Sequence, residues 1–479
     1  MNRLLISAAH KSSGKTTLSI GLCTALRHRG LAVQAFKKGP DFIDPMWLSL
    51  ATGRDCHNLD FFLMGREEIL RMFSSRSQDA DISLIEANKG LYDGLSLDGS
   101  NSNAALANLL KAPVVLVIDA RGMTRRIAPL TLGYKAFDRD IRIAGVILNQ
   151  LGGSRHEAKL RAVIEHYTDI PVLGAVHHDD RLTIIERHLG LMPSNEATEA
   201  RAKIDAISSV IADSVDLDRL LAISSDVPAL AIPASPEPAL TQTSPASGRG
   251  DSEVDPIKIG IARDAAFAFY YPGDLEALRA AGADLVPINT LHDTKLPDVD
   301  ALLIGGGFPE VSMQQLEANV SLRHHIRQAI ETGMPAYAEC GGLMYLARSL
   351  TWRGKRCEMA GVIPGDVVMH DRPRGRGYVV LRDSGRGLWP ATGSGQSPSE
   401  IHAHEFHYSS LENLPPDTVY AYDVLRGTGI DGKHDGIVYK NLFACYAHLR
   451  DLENNHWAAR FVNFVRQRRQ KAVNQKRAH

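Results

Sequence analysis

The sequence predicts an α/β fold of two domains, each a mostly parallel sheet flanked by helices. Three observations carry this reading. Short continuous apolar runs, Leu4–Ser7, Ala32–Phe36, Ile82–Glu86, Val114–Asp119 and Ile143–Asn149, alternate with amphipathic stretches long enough for crossover helices, the pattern of strands buried on both faces. The same pattern restarts at Ile257–Ala262, continues with Ala301–Gly305 and Pro335–Glu339, and ends in a helix-like tail at Trp457–Arg468. Between the two halves, residues 233–256 run Pro-Ala-Ser-Pro-Glu-Pro and then Ser, Thr, Gly and Pro, with almost nothing large to bury. We read a first domain over 1–232, a linker over 233–256 and a second domain over 257–470.

Composition supports two ordinary cores. The chain has 479 residues, more than one core normally holds, with 44% hydrophobic and 23% charged residues. A formal net charge of −1 gives no general attraction to nucleic acid or to an anionic membrane. The basic stretch Arg466–Arg477 reads as a solvated helix or tail. Five scattered cysteines fit neither a disulfide framework nor paired zinc spacing and point to a reducing cytoplasm. No apolar run reaches the ~20 residues that span a bilayer, and no cleavage-site pattern follows Leu4-Leu5-Ile6. The expectation is a cytoplasmic chain, without membrane or nucleic-acid partners.

The first strand leads into Ala9-His10-Lys11-Ser12-Ser13-Gly14-Lys15-Thr16-Thr17 and a helix over Leu18–Arg27. This is a Walker A pattern with Ala9 where the first glycine is expected. Backbone amides of Ser13, Gly14 and the helix start can surround phosphate, Lys15 can reach its oxygens, and Thr16 and Thr17 complete the nucleotide-binding set. The second strand ends in Lys37-Lys38-Gly39-Pro40-Asp41-Phe42-Ile43-Asp44-Pro45, and Glu86 ends another before Ala87-Asn88-Lys89-Gly90-Leu91-Tyr92-Asp93-Gly94. Sites in open parallel sheets form at these strand ends. Thr16, Asp41 and Glu86 are the candidate magnesium ligands, because the hard cation takes hydroxyl and carboxylate oxygen. The bland reading makes Asp41 and Asp44 turn and cap residues.

In the second half, Met334–Glu339 reads as a strand, Cys340-Gly341-Gly342 as a sharp turn and Leu343 onward as a helix, which is nucleophile-elbow geometry. Gly305-Gly306-Gly307 follows another predicted strand, so Gly306, Gly307 and Gly341 are candidate oxyanion donors. His448, just past the apolar run at Ala444, is the candidate base, with His402, His404 and His407 as rivals. His402 and His404 share a strand face suited to metal or substrate, though they lack cysteine or carboxylate partners at fitting spacing.

Taken together these motifs resemble the cobyrinate a,c-diamide synthase family. The carriers are Ser13-Gly14-Lys15-Thr16-Thr17, Gly39-Pro40-Asp41-Phe42-Ile43-Asp44-Pro45, Gly90-Leu91-Tyr92-Asp93-Gly94, Gly305-Gly306-Gly307-Phe308-Pro309-Glu310, Glu339-Cys340-Gly341-Gly342 and His404-Glu405-Phe406-His407-Tyr408-Ser409. The resemblance implies a P-loop NTPase-like domain followed by a class I glutamine amidotransferase-like domain. It implies ATP and Mg2+ as cofactors, and glutamine and a tetrapyrrole carboxylic acid as substrates. Two acetate side chains would be amidated through acyl phosphates. It also places Asp44 at a nucleotide, metal or substrate position and Asp93 where substrate or the activated intermediate is handled. The oligomeric state is left open, a homodimer included.

Three departures stand out. Ala87-Asn88-Lys89 replaces the usual Gly-Val-Met, Ala403 replaces the usual Gly before His404, and Arg450 stands where many class I amidotransferases place a Glu. The third member of a Cys–His triad is therefore open. Asn88-Lys89 and the polar run 98–103 resemble the siroheme branch of the family, with Lys89 a candidate for a substrate carboxylate. Rival readings are a partition-type P-loop ATPase with an inactive cysteine domain, and an amidotransferase for a non-tetrapyrrole acid.

Overall fold

The computed structural model describes residues 1–184, 186–187, 190–194, 199–234, 256–389 and 400–478. Two compact units result, residues 1–240 and 241–479. Most of the expected linker, 235–255, lies outside the described residues.

Unit 1 is built on β1 (Arg3–Ala8), β2 (Val33–Lys38), β3 (His57–Leu59), β4 (Ile82–Glu86), β5 (Val114–Asp119), β6 (Ile143–Leu151) and β7 (Val172–His177). They form one sheet in the order β3-β2-β4-β1-β5-β6-β7, and all its pairings are parallel. Every residue of β1, β2, β4 and β5 is buried, which is why these strands read as unbroken apolar runs. The helices are α1 (Lys15–His28), α2 (Ile43–Thr52), α3 (Arg66–Ser77), α4 (Asn103–Leu109), α5 (Ile127–Phe137), α6 (Ser154–Tyr167), α7 (Ala200–Ser214) and α8 (Leu217–Ser225). A two-strand ribbon, β8 (Glu186–Arg187) and β9 (Gly190–Leu191), precedes α7. The phosphate loop, Gly39–Asp41 and Ala87–Asp93 all leave the carboxyl ends of β1, β2 and β4, the three neighbouring central strands.

Unit 2 contains β10 (Ile257–Ala262), β11 (Phe267–Phe269), β12 (Ala283–Ile288), β13 (Ala301–Ile304), β14 (Gly306–Gly307), β15 (Ala336–Glu339), β16 (Ala347–Trp352) and β17 (Lys355–Glu358). It continues with β18 (Ile363–Met369), β19 (Gly375–Asp383), β20 (Glu400–His407), β21 (Ser409–Glu412), β22 (Val419–Arg426), β23 (His434–Tyr439) and β24 (Leu442–Cys445). Its helices are α9 (Pro272–Ala280), α10 (Met313–Ala318), α11 (Val320–Glu331), α12 (Gly341–Leu346) and α13 (Trp457–Ala478). The main sheet runs β12-β10-β13-β15-β24-β23-β22-β19-β20. It is parallel from β12 to β24 and antiparallel beyond. A second sheet, β17-β16-β18-β21, and a ribbon, β11-β14, complete the unit.

Alternation along the strands separates two cores. Leu302, Ile304, Ala336, Ala338, Leu442 and Ala444 face one side. Ala301, Leu303, Tyr337, Phe443 and Cys445 face the other, against Trp457, Phe461 and Val465 of α13. Cys340 leaves β15 inside the parallel half, and His448 follows β24, the neighbouring strand. Among the described residues no helix is long and apolar enough to cross a membrane.

Candidate active sites

In unit 1 the turn from β1 to α1 wraps the start of the helix. Ser13 Oγ donates to His10 O at 2.8 Å, and Asn149 Nδ2 at the end of β6 donates to Ser13 O at 2.8 Å. Gly14 has φ 88, and a Cβ there would lie 2.2 Å from Asn149 Nδ2, so only glycine fits the turn. No side chain caps α1 and no acidic residue sits in its first turn, leaving its first amides for an anion. Lys15 is buried. Burial lowers its pKa and neighbouring Lys37 adds to this, while Glu86, Asp44 and Asp93 oppose it. A cavity of about 270 Å³ opens here, lined by Gly14, Lys15, Thr16 and Thr17 on one side and by Asn149, Gln150, Leu182 and Ile184 on the other.

A charged cluster adjoins the loop. Thr16 Oγ1 donates to Glu86 Oε1 at 2.6 Å and to Asp44 Oδ2 at 3.2 Å. Lys37 Nζ lies 2.5 Å from Asp44 Oδ2 and 2.8 Å from Glu86 Oε1. Burial raises the Glu86 carboxyl against the pull of Lys37. Among the described residues its buried Oε2 has no hydrogen-bond partner. Asp41, expected among the ligands, also holds the turn before α2: its Oδ1 accepts from Ile43 N at 2.9 Å and Asp44 N at 3.2 Å. Burial first, and the Asp44 charge second, push Asp41 up to about 7. The fold thus gathers Thr16, Glu86 and Asp44, with Asp41 behind them and Lys37 as an unforeseen fourth member.

Asp93 Oδ2 accepts from Gly90 N at 2.9 Å. Lys89 is exposed with φ 44, a conformation that costs a non-glycine residue energy. Asn103 holds it there, its Nδ2 donating to Asn88 O at 2.5 Å and Gly90 O at 2.6 Å. Lys38 is buried and donates to Asn101 O at 2.8 Å. Burial lowers its pKa, and Lys89 is close enough to lower it further.

In unit 2, Cys340 has φ 47 and ψ −101 between β15 and α12, the strained elbow that the flanking glycines predicted. Cys340 N donates to Cys445 O at 2.7 Å, tying the elbow to β24. Cys340 and His448 are buried and share a hydrogen bond. A Cβ on Gly306 would lie 2.6 Å from His448 Cε1, and one on Gly341 would lie 2.9 Å from Gly307 N, so the three candidate oxyanion glycines converge on this pair. Burial depresses His448, but hydrogen bonds and charges of Cys340 and Glu339 outweigh it and push the imidazole up to about 10.

Of the rival histidines, His404 stacks on His448 with ring centroids 4.9 Å apart. Burial, then the charges of His448 and Arg450, drive its pKa well down. His402 is exposed, and His407 stacks on Tyr446 at 3.9 Å. Among the described residues no group of three or more His, Cys, Asp or Glu side chains is arranged to hold a metal. The carboxylate the fold brings to His448 is Glu339, whose Oε2 lies 3.2 Å from Nδ1. Sequence reasoning passed over it, although the two-residue period puts Glu339 on the same strand face as Tyr337.

A phosphate-loop unit and a cysteine-elbow unit in one chain define the class of glutamine-hydrolysing, ATP-dependent carbon–nitrogen ligases. Residues 5–191 match the CobQ/CobB/MinD/ParA nucleotide binding domain, and residues 258–456 match the CobB/CobQ-like glutamine amidotransferase domain. A "Cobyrinate a,c-diamide synthase" of Magnetococcus marinus is 47% identical over 97% of this chain and 97% of its own. Proteins of the same name from Methanosarcina acetivorans and Listeria monocytogenes are 41% and 40% identical, over 96% and 95% of this chain and 94% and 97% of theirs. The chain belongs to the cobyrinate a,c-diamide synthase family.

Proposed function

We propose that the chain amidates the a and c acetate carboxylates of a cyclic tetrapyrrole, using ATP to activate each as an acyl phosphate and glutamine as the nitrogen source. The observation that carries this is the pairing, in one chain, of the Thr16–Glu86–Asp44 cluster at a phosphate loop with a thiol–imidazole pair at a glycine-lined elbow. Relatives matching nearly the whole chain are named for cobyrinate. Cobyrinate or hydrogenobyrinate, in cobalamin biosynthesis, is therefore the first substrate to test. Siroheme is the second, favoured by the Asn88–Lys89 turn and the neighbouring Lys38, two cations suited to a further substrate carboxylate.

The oxygen set fits magnesium. Thr16 Oγ1, Asp44 and the unpartnered Glu86 Oε2 are hard donors, and Mg2+ usually takes one or two carboxylates with phosphates and water. When bound, it would neutralise phosphate oxygens of ATP. The α1 amides and Lys15 would hold the phosphates, and Asn149, Gln150 and Leu182 line the same cavity and could contact the rest of the nucleotide. A substrate carboxylate oxygen attacks the γ-phosphorus, forming the acyl phosphate and releasing ADP, with Asp93 and Lys89 on the substrate side.

At the other site His448 takes the proton of Cys340, and the thiolate attacks the glutamine amide carbon. The resulting oxyanion faces the backbone of Gly306, Gly307 and Gly341. His448 returns the proton to the departing ammonia, and water then releases glutamate from the thioester. Ammonia attacks the acyl phosphate carbonyl, expelling phosphate and leaving the amide. A homodimer is compatible with this chemistry and is not required by it.

The test is product mass spectrometry after incubation with ATP, Mg2+ and glutamine, with cobyrinate and siroheme offered separately. Each amidation replaces hydroxyl by amino and lowers the mass by about one dalton. Two such losses on either macrocycle support the reading and identify the substrate. No mass change on either, with glutamine still hydrolysed, overturns the tetrapyrrole assignment and favours another acid.

A further inference from the structure

We infer that Glu339, the residue immediately before the nucleophile, is the positioning acid of the glutaminase site, replacing a carboxylate downstream of the histidine. The inference rests on the reading of Cys340 and His448 as that site.

The geometry is specific. Glu339 Oε2 lies 3.2 Å from His448 Nδ1. Its other oxygen, Oε1, accepts from Leu449 N at 3.0 Å and from the Tyr337 hydroxyl. The carboxylate is thus gripped from two sides. Tyr337 is itself immobilised, stacked on Trp457 at 4.6 Å and on Phe443 at 5.3 Å. This arrangement selects one tautomer: Nδ1–H donates to Glu339 and Nε2 is left for the Cys340 thiol.

Among the described residues that follow His448, the two nearest candidates do not do this. Arg450 lies over the Tyr271 ring at 4.6 Å, and a guanidinium has donors only, so it has no atom to accept Nδ1–H. Asp451 is engaged elsewhere, accepting from Ala458 N at 2.8 Å at the start of α13. His404 stacks on the imidazole, Arg450 is near enough to His404 to lower its pKa, and Asp274 faces Arg450 and Glu339. Of these, Asp274 accepts from Asp451 N at 2.8 Å. Parallel pairing of β15 with β24 explains the substitution: it sets Glu339 opposite Cys445, three residues before His448, so one strand end supplies both nucleophile and acid.

The experiment uses the full chain and reads glutamine hydrolysis alone, together with the pH dependence of Cys340 alkylation by iodoacetamide. Glu339→Gln should lower kcat for glutamine hydrolysis by about 100-fold or more, with KM for glutamine changed less than threefold. The onset of alkylation should move to higher pH, because the imidazolium partner of the thiolate is weakened. Ammonia-driven turnover should persist, showing that the chain is folded. Glu339→Asp should recover part of the rate and of the alkylation profile; it also serves as the measured variant if Glu339→Gln does not fold. An unchanged alkylation profile, or full glutamine hydrolysis in both variants, overturns the inference. Cys340→Ser separates the levels: if it retains glutamine hydrolysis, the reading of the site itself has failed.

Discussion

Replacing Lys37 by Met tests the charged cluster of unit 1 most directly. Lys37 is 3% exposed, and its ammonium is 2.5 Å from Asp44 and 2.8 Å from Glu86. Burial pulls its pKa down, yet Asp44 and Glu86 more than reverse this, so the lysine is charged throughout the working range. Methionine keeps most of the volume and leaves both carboxylates without their cation. Removing one partner of a buried pair costs about 3–5 kcal/mol, and each kcal/mol moves the melting point of a unit this size by roughly 2–4 °C. The transition of unit 1 should therefore fall by roughly 6–20 °C in calorimetry. Mg2+ with ATP should recover a large part, since a divalent ion supplies charge to the same oxygens. The pH sign follows from Glu86, which burial already raises and Lys37 holds back. Without Lys37 that carboxyl rises further. A raised carboxyl contributes stability that is complete below its unfolded value and lost as pH rises through the folded one. The deficit should thus be smaller at acid pH and widen as pH rises. A variant melting within about 2 °C of the parent would refute this account of the cluster.

Three further outcomes are expected. Cys340→Ser should abolish glutamine-driven amidation while ammonia-driven amidation continues, measured as product formed with each nitrogen source. Lys15→Ala should stop both by about 100-fold or more in kcat, because it removes phosphate stabilisation; retained ammonia-driven turnover would contradict its placement at the phosphates. Asp435 is fully buried and accepts from Gly436 N, Tyr446 N and Ala447 N at 2.8, 3.0 and 2.9 Å, and burial pushes it up to about 6. Asp435→Asn should lower stability by about 1–3 kcal/mol by turning an amide toward a backbone donor, and should remove the stability that this carboxyl loses as pH rises through about 6, checked by melting at pH 5 and pH 7.

The parallel strands were legible because burial on both faces leaves continuous apolar runs; β4 and β5 match the sequence reading residue for residue. The phosphate loop and the Cys340 elbow were legible because strand, glycine turn and helix are contiguous. The antiparallel half of unit 2 was not, apart from the strand alternation at His402 and His404. β19 alternates buried and exposed positions and carries Arg376 and Arg382, so it has no apolar run to mark it. Asp41 was read as the magnesium ligand ahead of Asp44, because three residues of sequence do not say which carboxylate faces Thr16 and which holds the turn before α2. Lys37 was hidden for a related reason: a lysine at a strand end reads as solvated, and its burial depends on two carboxylates that arrive from α2 and β4. The tail helix was read to Arg468 and extends to Ala478, since a polar helical end has no hydrophobic period to mark it.

The two sites hold buried charge in different ways, and this bears on what each needs from its ligand. Around Lys37 an ammonium already bridges two carboxylates, while among the described residues Glu86 Oε2 has no hydrogen-bond partner and α1 begins without a side-chain cap. Such a cluster is electrostatically incomplete and gains most when phosphate and a divalent cation arrive together, because either alone adds an uncompensated charge to a buried site. Around His448 the position is reversed. Cys340, His448, Glu339, Leu449 N and Tyr337 form an unbroken hydrogen-bonded series in which a proton passing from thiol to imidazole creates two opposite charges with partners in place. Little reorganisation is then needed when glutamine binds. ATP and magnesium should accordingly stabilise unit 1 more as a pair than the sum of their separate effects, whereas glutamine should change the melting of unit 2 only by its own mass action.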